Sequence, residues 1–357
     1  MSDFVMPSLG ADMESAVLME WLVKEGDHVT KGQVIAEVET SKGVIEIEVF
    51  EEGIVDKLFV KEETECTVGT PLAHIRTADE KPPQETTEKP QRVKASPAAR
   101  RKAKEMGIDI ASLAATGEVN LANVEELAKK TPRLATQDGM RQAIAKAMSR
   151  SNADIPHYYL STSINMTPAL TWLETFNAQR TITQRILPAA LLIRAVVKAL
   201  KEVPQLNGFW ENNEHRISES IHPGIAIALR KGGLITPALI NAHEMGLDET
   251  MHALGDLISR TRAGKLRNTE MTLQTITITN LGDLGVESVF GVIYPPQVAL
   301  IGLGRIMDAP WAQGDTLSVR KVMQATLAGD HRATDGRIGA LFLEKLNQIL
   351  QDPQELL

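Results

Sequence analysis

Residues 77–94, TADEKPPQETTEKPQRVK, hold three prolines and many charges but almost no large apolar side chain. Such a stretch cannot bury enough surface to offset the entropy of ordering it, so it reads as an extended linker. A chain interrupted in this way cannot fold around one core. A second, shorter break lies at KKTPRLATQ, 129–137. The expected order is a domain at 1–76, the linker 77–94, a small domain at 95–130, a linker at 131–137 and a large domain at 138–357. A length of 357 residues suits two or three domains.

The first piece contains an internal repeat. AVLMEWLVKE at 16–25 aligns with GIVDKLFVKE at 53–62, an offset of 37, and GQVIAEV at 32–38 aligns with GTPLAHI at 69–75. Two copies of a short-stranded unit predict a flattened β-barrel or sandwich with a quasi-twofold axis. Between the copies lies VETSKGVIEIEV, 38–49, where two alternating runs flank a polar turn. Alternation with period two marks half-buried strands, so Lys42 stands at a hairpin tip at one end of the domain. Cys66 pairs with Val29 in the repeat, which predicts a packed apolar role.

The bulk numbers narrow the function. A net charge of −8 argues against a nucleic-acid binder as a whole. One cysteine excludes an internal disulfide framework and fits a reducing compartment. The start, MSDFVMPSLG, has neither a basic leader nor an apolar core, and the richest apolar run, LPAALLIRAVVKAL, is broken by Arg194 and Lys198. The expectation is a cytoplasmic protein without membrane spans. His28, His74, His157 and His243 have no partner spacing that suggests a metal site. GLGR, 302–305, is too short for a dinucleotide fingerprint.

The second piece, 95–130, reads as two short helices around a loop. Ser96 caps the first, Pro97 opens it and Gly107 ends it. Arg100, Arg101, Lys102 and Lys104 crowd that helix. In the third piece, GMRQAIAKAMSRS (139–151) and ILPAALLIRAVVKALKEV (186–203) have helical spacing. HYYLSTSINM, GIAIAL, TITIT and QVALIGLG read as strands, several nearly all apolar and so buried on both faces. One α/β domain with a mixed sheet covered by helices follows. Its other informative stretch is GDHRATDGRIGALFLEKL, 329–346, which sets His331 on a loop, Asp335 four residues on, then a helix.

ETSKGVIEIE, with GDHVTKGQVIAEVE before it, resembles the lipoyl domain of 2-oxo acid dehydrogenase complexes. The resemblance implies lipoate carried on Lys42. A biotin carrier shares the fold, but its lysine usually lies between methionines, whereas Ser41 and Gly43 flank Lys42. Residues 95–130 resemble the peripheral subunit-binding domain of the same complexes, which implies partner docking through Arg100, Arg101 and Lys104. Here Glu118-Val119-Asn120 follows Thr116-Gly117 in place of a longer basic loop.

DHRATDG resembles the DHRxxDG signature of dihydrolipoamide acyltransferases, shared with chloramphenicol acetyltransferases. IPHYYLSTSIN, ITITNLGDLG and YPPQVALIGLGRI fall in the family's order across 138–357. The resemblance implies His331 as general base, Asp335 as a residue holding the site and Thr279 as the hydroxyl facing the oxyanion. It also implies coenzyme A as substrate. The implied partners are a thiamine-dependent decarboxylase, a dihydrolipoamide dehydrogenase and two further copies in a trimer that builds a larger core. Leu273-Gln274 replaces a pair of glycines, and Tyr294 stands where asparagine is frequent. The other class of function is a lipoyl-bearing scaffold without chemistry; retention of His331, Asp335 and a hydroxyl at 279 speaks against it. The acyl group is not legible, with acetyl the default.

Overall fold

A computed structural model describes residues 2–8, 15–40, 43–76, 137–229 and 233–357. Its N-terminal part is a sandwich of two four-stranded layers. Strands β1 (Ser2–Val5), β8 (Pro71–Arg76), β6 (Gly53–Leu58) and β3 (His28–Val29) form one layer in that spatial order. The other runs β5 (Gly43–Glu48), β4 (Val34–Thr40), β2 (Ser15–Trp21) and β7 (Thr64–Thr67). The 37-residue offset carries β2 onto β6, β3 onto β7 and β4 onto β8. Each copy therefore gives two strands to one layer and one to the other, the quasi-twofold arrangement that the repeat predicts. Leu18, Val38, Ile47 and Leu72 are fully buried in its interior. Cys66 is buried with them, and its burial pushes the thiol pKa up, as suits packing rather than reactivity.

The C-terminal part begins with helix α1 (Gln137–Asp154) and strand β9 (His157–Asn165), then α2 (Thr167–Ala178) and α3 (Pro188–Glu202). Two small hairpins follow, β10 (Gly208–Glu211) with β11 (Glu214–Ile217), and β13 (Ile227–Ala228) with β14 (Leu234–Ile235); between them lies β12 (Pro223–Ile225). Helix α4 (Leu247–Ala263), β15 (Leu266–Arg267) and α5 (Asn268–Thr272) lead into β16 (Ile276–Asn280) and β17 (Ala299–Leu303). The chain ends with β18 (Met307–Gln313), β19 (Thr316–Asp330) and α6 (Gly336–Gln351).

The main sheet is mixed: β12, β16 and β17 are parallel, while β19 runs antiparallel to β17, β18 and β9. α6 packs on β9 and β19, and α3 packs on α6. α3 is buried along most of its length, as the run 186–203 leads one to expect. GIAIAL, expected as one strand, is divided instead. Ala226 N–H still bonds to Ile278 O on the main sheet, but Ile227 and Ala228 turn away to pair with β14. The two bodies touch: β15 adds to the free edge of β5 in parallel register. Among the described residues no helix is long and apolar enough to cross a membrane.

Candidate active site

The site is built where β19 ends. Asp330 is fully buried, and its carboxylate accepts hydrogen bonds from Arg332 N (2.9 Å), Nε (3.0 Å) and Nη2 (2.7 Å). This bond network with Asp330 raises the Arg332 pKa, so the cation is fixed at any working pH. The Asp330 carbonyl also accepts from Ala333 N–H and Thr334 N–H, both at 3.0 Å, which closes the turn. With its two neighbours clamped together, His331 projects outward. Its N–H donates to Pro156 O (3.0 Å), and its exposed ring meets Tyr158 edge-on, centroids 5.3 Å apart. Tyr158 in turn hydrogen-bonds Thr334 through its hydroxyl (3.0 Å), and burial raises its phenol pKa. Only a glycine at 329 leaves room for that ring, since a Cβ there would stand 2.4 Å from it.

Asp335 begins α6. Its Oδ1 accepts from Arg337 N (2.9 Å) and Ile338 N (3.0 Å), satisfying two of the helix's free N–H groups. Thr279 lies on β16, half-buried, and its hydroxyl has no hydrogen-bond partner among the described residues. The register sets Thr279 beside Gly302 and Gly302 beside Thr326. His331 lies five residues beyond Thr326, roughly 16 Å farther along the sheet at strand rise. One chain therefore does not bring His331 and Thr279 together.

One cleft adjoins the loop, and a second adjoins the first. The first, about 510 Å³, is lined by Arg332, Asp154 and Trp210, whose ring lies under the Arg332 guanidinium at 5.1 Å. The other, about 350 Å³, is lined by Phe209, Met271, Gln274 and Tyr294; the two share Glu211, Pro295, Pro296 and Gln297. Gln274 departs from the glycine pair for a visible purpose: its Nε2 donates to Thr236 O (3.0 Å) and Glu270 O (2.9 Å), tying three segments together. Reading the sequence missed Asp330, Arg332 and Tyr158. The Asp-x-Arg spacing around His331 was the available signal for the first two.

Lys42, Arg100, Arg101 and Lys104 lie outside the described residues. Strands β4 and β5 pair as far as Thr40 and Gly43. His157 is a packing residue: its Nδ1 donates to Ile155 O (2.9 Å) and its Nε2 accepts from Ile293 N–H (3.1 Å). No cluster of metal-ligating side chains occurs among the described residues.

The family model described as 2-oxoacid dehydrogenases acyltransferase (catalytic domain) matches residues 129–357. A model described as Biotin-requiring enzyme matches 2–75, and one for the e3 binding domain matches 93–120. The chain is 29% identical over 406 residues to the dihydrolipoyllysine-residue acetyltransferase component of the pyruvate dehydrogenase complex of Rickettsia conorii, covering 98% of each. It is also 29% identical over 393 residues to the corresponding component of the acetoin cleaving system of Bacillus subtilis, covering 99% of this chain and 98% of that one. Among solved structures, a probable dihydrolipoamide acetyltransferase from Listeria monocytogenes aligns with TM-score 0.57 and 29% identity, over 62% of this chain and 96% of that one. A truncated catalytic core of the 2-oxoacid dehydrogenase multienzyme complex from Thermoplasma acidophilum aligns with TM-score 0.54 and 27% identity, over 60% and 96%.

Proposed function

Because the chain belongs to the family of 2-oxoacid dehydrogenase acyltransferases, we propose that it passes an acetyl group from a lipoyl-lysine at Lys42 to coenzyme A, with His331 as the base. The observation that carries this is the clamped loop: Asp330 and Arg332 lock their backbone and leave the imidazole between them exposed. The pairing of β4 with β5 as far as Thr40 and Gly43 supports this, since it brings together the strand ends on either side of Lys42 in the sequence. Lipoate there would supply the dithiol that bears the acyl group.

A ring nitrogen of His331 accepts the thiol proton of coenzyme A, and the sulfur attacks the thioester carbonyl. The carbonyl oxygen becomes an oxyanion, which the Thr279 hydroxyl of a second copy stabilises. As the tetrahedral adduct collapses, His331 returns the proton to the departing sulfur. Asp335 acts at one remove by fixing the start of α6 behind the loop. The unpartnered Thr279 hydroxyl and its distance from His331 within one chain support a site shared between copies in a trimer. Residues 95–130 dock a thiamine-dependent decarboxylase or a dihydrolipoamide dehydrogenase through Arg100, Arg101 and Lys104. A reducing compartment such as the cytoplasm fits the single, buried cysteine.

The test uses the full chain with free dihydrolipoamide and acetyl-CoA. His331→Ala lowers transfer by roughly 10² to 10⁴ while assembly persists, because an exposed ring contributes little to packing. Thr279→Ala costs about 10² to 10³, and Thr279→Ser stays active. A His331→Ala chain that assembles and keeps its full rate removes the proposal.

A further inference from the structure

An alternating strand should keep its polar face in water, so Glu46 and Glu48 of β5 ought both to be exposed. Glu48 is 4% exposed instead. The segment that covers it belongs to the C-terminal body. β15 extends the sheet at the free edge of β5, with Leu266 beside Ile45 and Arg267 beside Glu46. Glu48 Oε2 accepts from the Thr269 hydroxyl at 2.6 Å, and the Arg267 guanidinium stands 3.8 Å from Oε1. Glu48 N–H points to Asn268 Oδ1 at 3.4 Å.

This strip is braced from behind. Glu270 takes two bonds from Arg260, at 2.5 and 2.6 Å, and its Oε2 accepts Arg267 N–H at 2.9 Å. Leu266 and Asn268 are themselves buried. An unpaired strand edge is a ready template for another strand, and the side chains beside it select what adds. Here the selection is for an acidic edge: a cation and a hydroxyl converge on one carboxylate, and a side-chain amide oxygen faces the backbone N–H of the same residue.

We propose that residues 266–269 are a docking strip for the chain's own lipoyl domain, engaged by strand addition to β5. The proposal rests on the acyl-transfer reading and names the surface that receives the carrier. Its position suits that role. Ser8 of the lipoyl domain lines the same cleft as Phe209 and Tyr294, and that cleft shares Pro295–Gln297 with the one that reaches Arg332, next to His331. The docked domain thus stands at the far mouth of the path to the base. A two-residue ladder with one ion pair held at 3.8 Å is weak. Tethering makes a weak dock sufficient, since both bodies share one chain, and weakness lets the carrier leave again.

Hydrogen exchange on the full-length chain tests this. The amides of 45–48 and 266–268 are protected together in the native protein. Glu48→Arg sets two cations against each other and speeds exchange in both segments by about tenfold or more, while β2 and β6 keep their protection. Adding Arg267→Glu restores the opposite pair and the protection. Exchange at 266–268 that ignores Glu48→Arg, or a double variant that stays as fast as the single one, overturns the dock. Turnover of free dihydrolipoamide by the native chain, measured in parallel, reports on acyl transfer alone, so failure of one reading is distinguishable from failure of the other.

Discussion

Asp335 is a signature residue whose hydrogen bonds among the described residues go to the helix that follows it. Its Oδ1 accepts from two N–H groups of α6, and the carboxylate makes no hydrogen bond to His331. Asp335→Asn keeps an acceptor at the cap and stays within a few tenths of a kcal/mol of the native stability. Asp335→Ala removes the cap and costs about 1 kcal/mol in denaturant unfolding. Equal losses in both variants would mean that the charge, not the cap, is what matters. At this scale the sequence was partly legible. His331 and Asp335 could be found because DHRATDG is compact, whereas Tyr158 could not, since 173 residues separate it from the imidazole it meets. Glu48 misled for a related reason: strand alternation reports one sheet and knows nothing of a second body laid across its edge.

Elements were readable where apolar runs were short and bounded. TITIT and QVALIGLG became β16 and β17, buried on both faces except at the half-buried end of β16, Thr279 and Asn280. The longest strand, β19, went unread because its two halves live in different environments. Thr316–Lys321 is largely exposed, while Val322–Asp330 is almost wholly buried and is built from Ala, Gly and Met as much as from β-branched residues. GLGR, dismissed as a cofactor fingerprint, has a packing explanation. The 286–293 segment crosses β17 so closely that a Cβ at Gly302 would lie 2.2 Å from Val289 O, and one at Gly304 would lie 1.9 Å from Glu287 O. Both obstacles are backbone, so they cannot swing aside. Gly304→Ala is expected to cost about 1–3 kcal/mol, read as a lowered midpoint in denaturant unfolding. A midpoint equal to that of the native chain would mean that the crossing segment moves freely.

For the whole molecule, the separation of His331 from Thr279 within one chain has a direct test. His331→Ala and Thr279→Ala chains, each inactive alone, are mixed by unfolding and reassembly. If each site draws its base and its hydroxyl from different copies, random mixing restores about one quarter of the native rate. No recovery in mixed assemblies of native size would return both groups to one chain. The same question of placement bears on β19. It runs unbroken from an exposed hairpin, where Leu317 is 73% and Val319 69% exposed, to the turn that carries His331. Its ladder with β9 advances in whole residues, and a slip of one turns every side chain to the opposite face. A neighbour that grips the hairpin therefore indexes the imidazole like a stop on a gauge rod: the base is either on its mark or a full notch away.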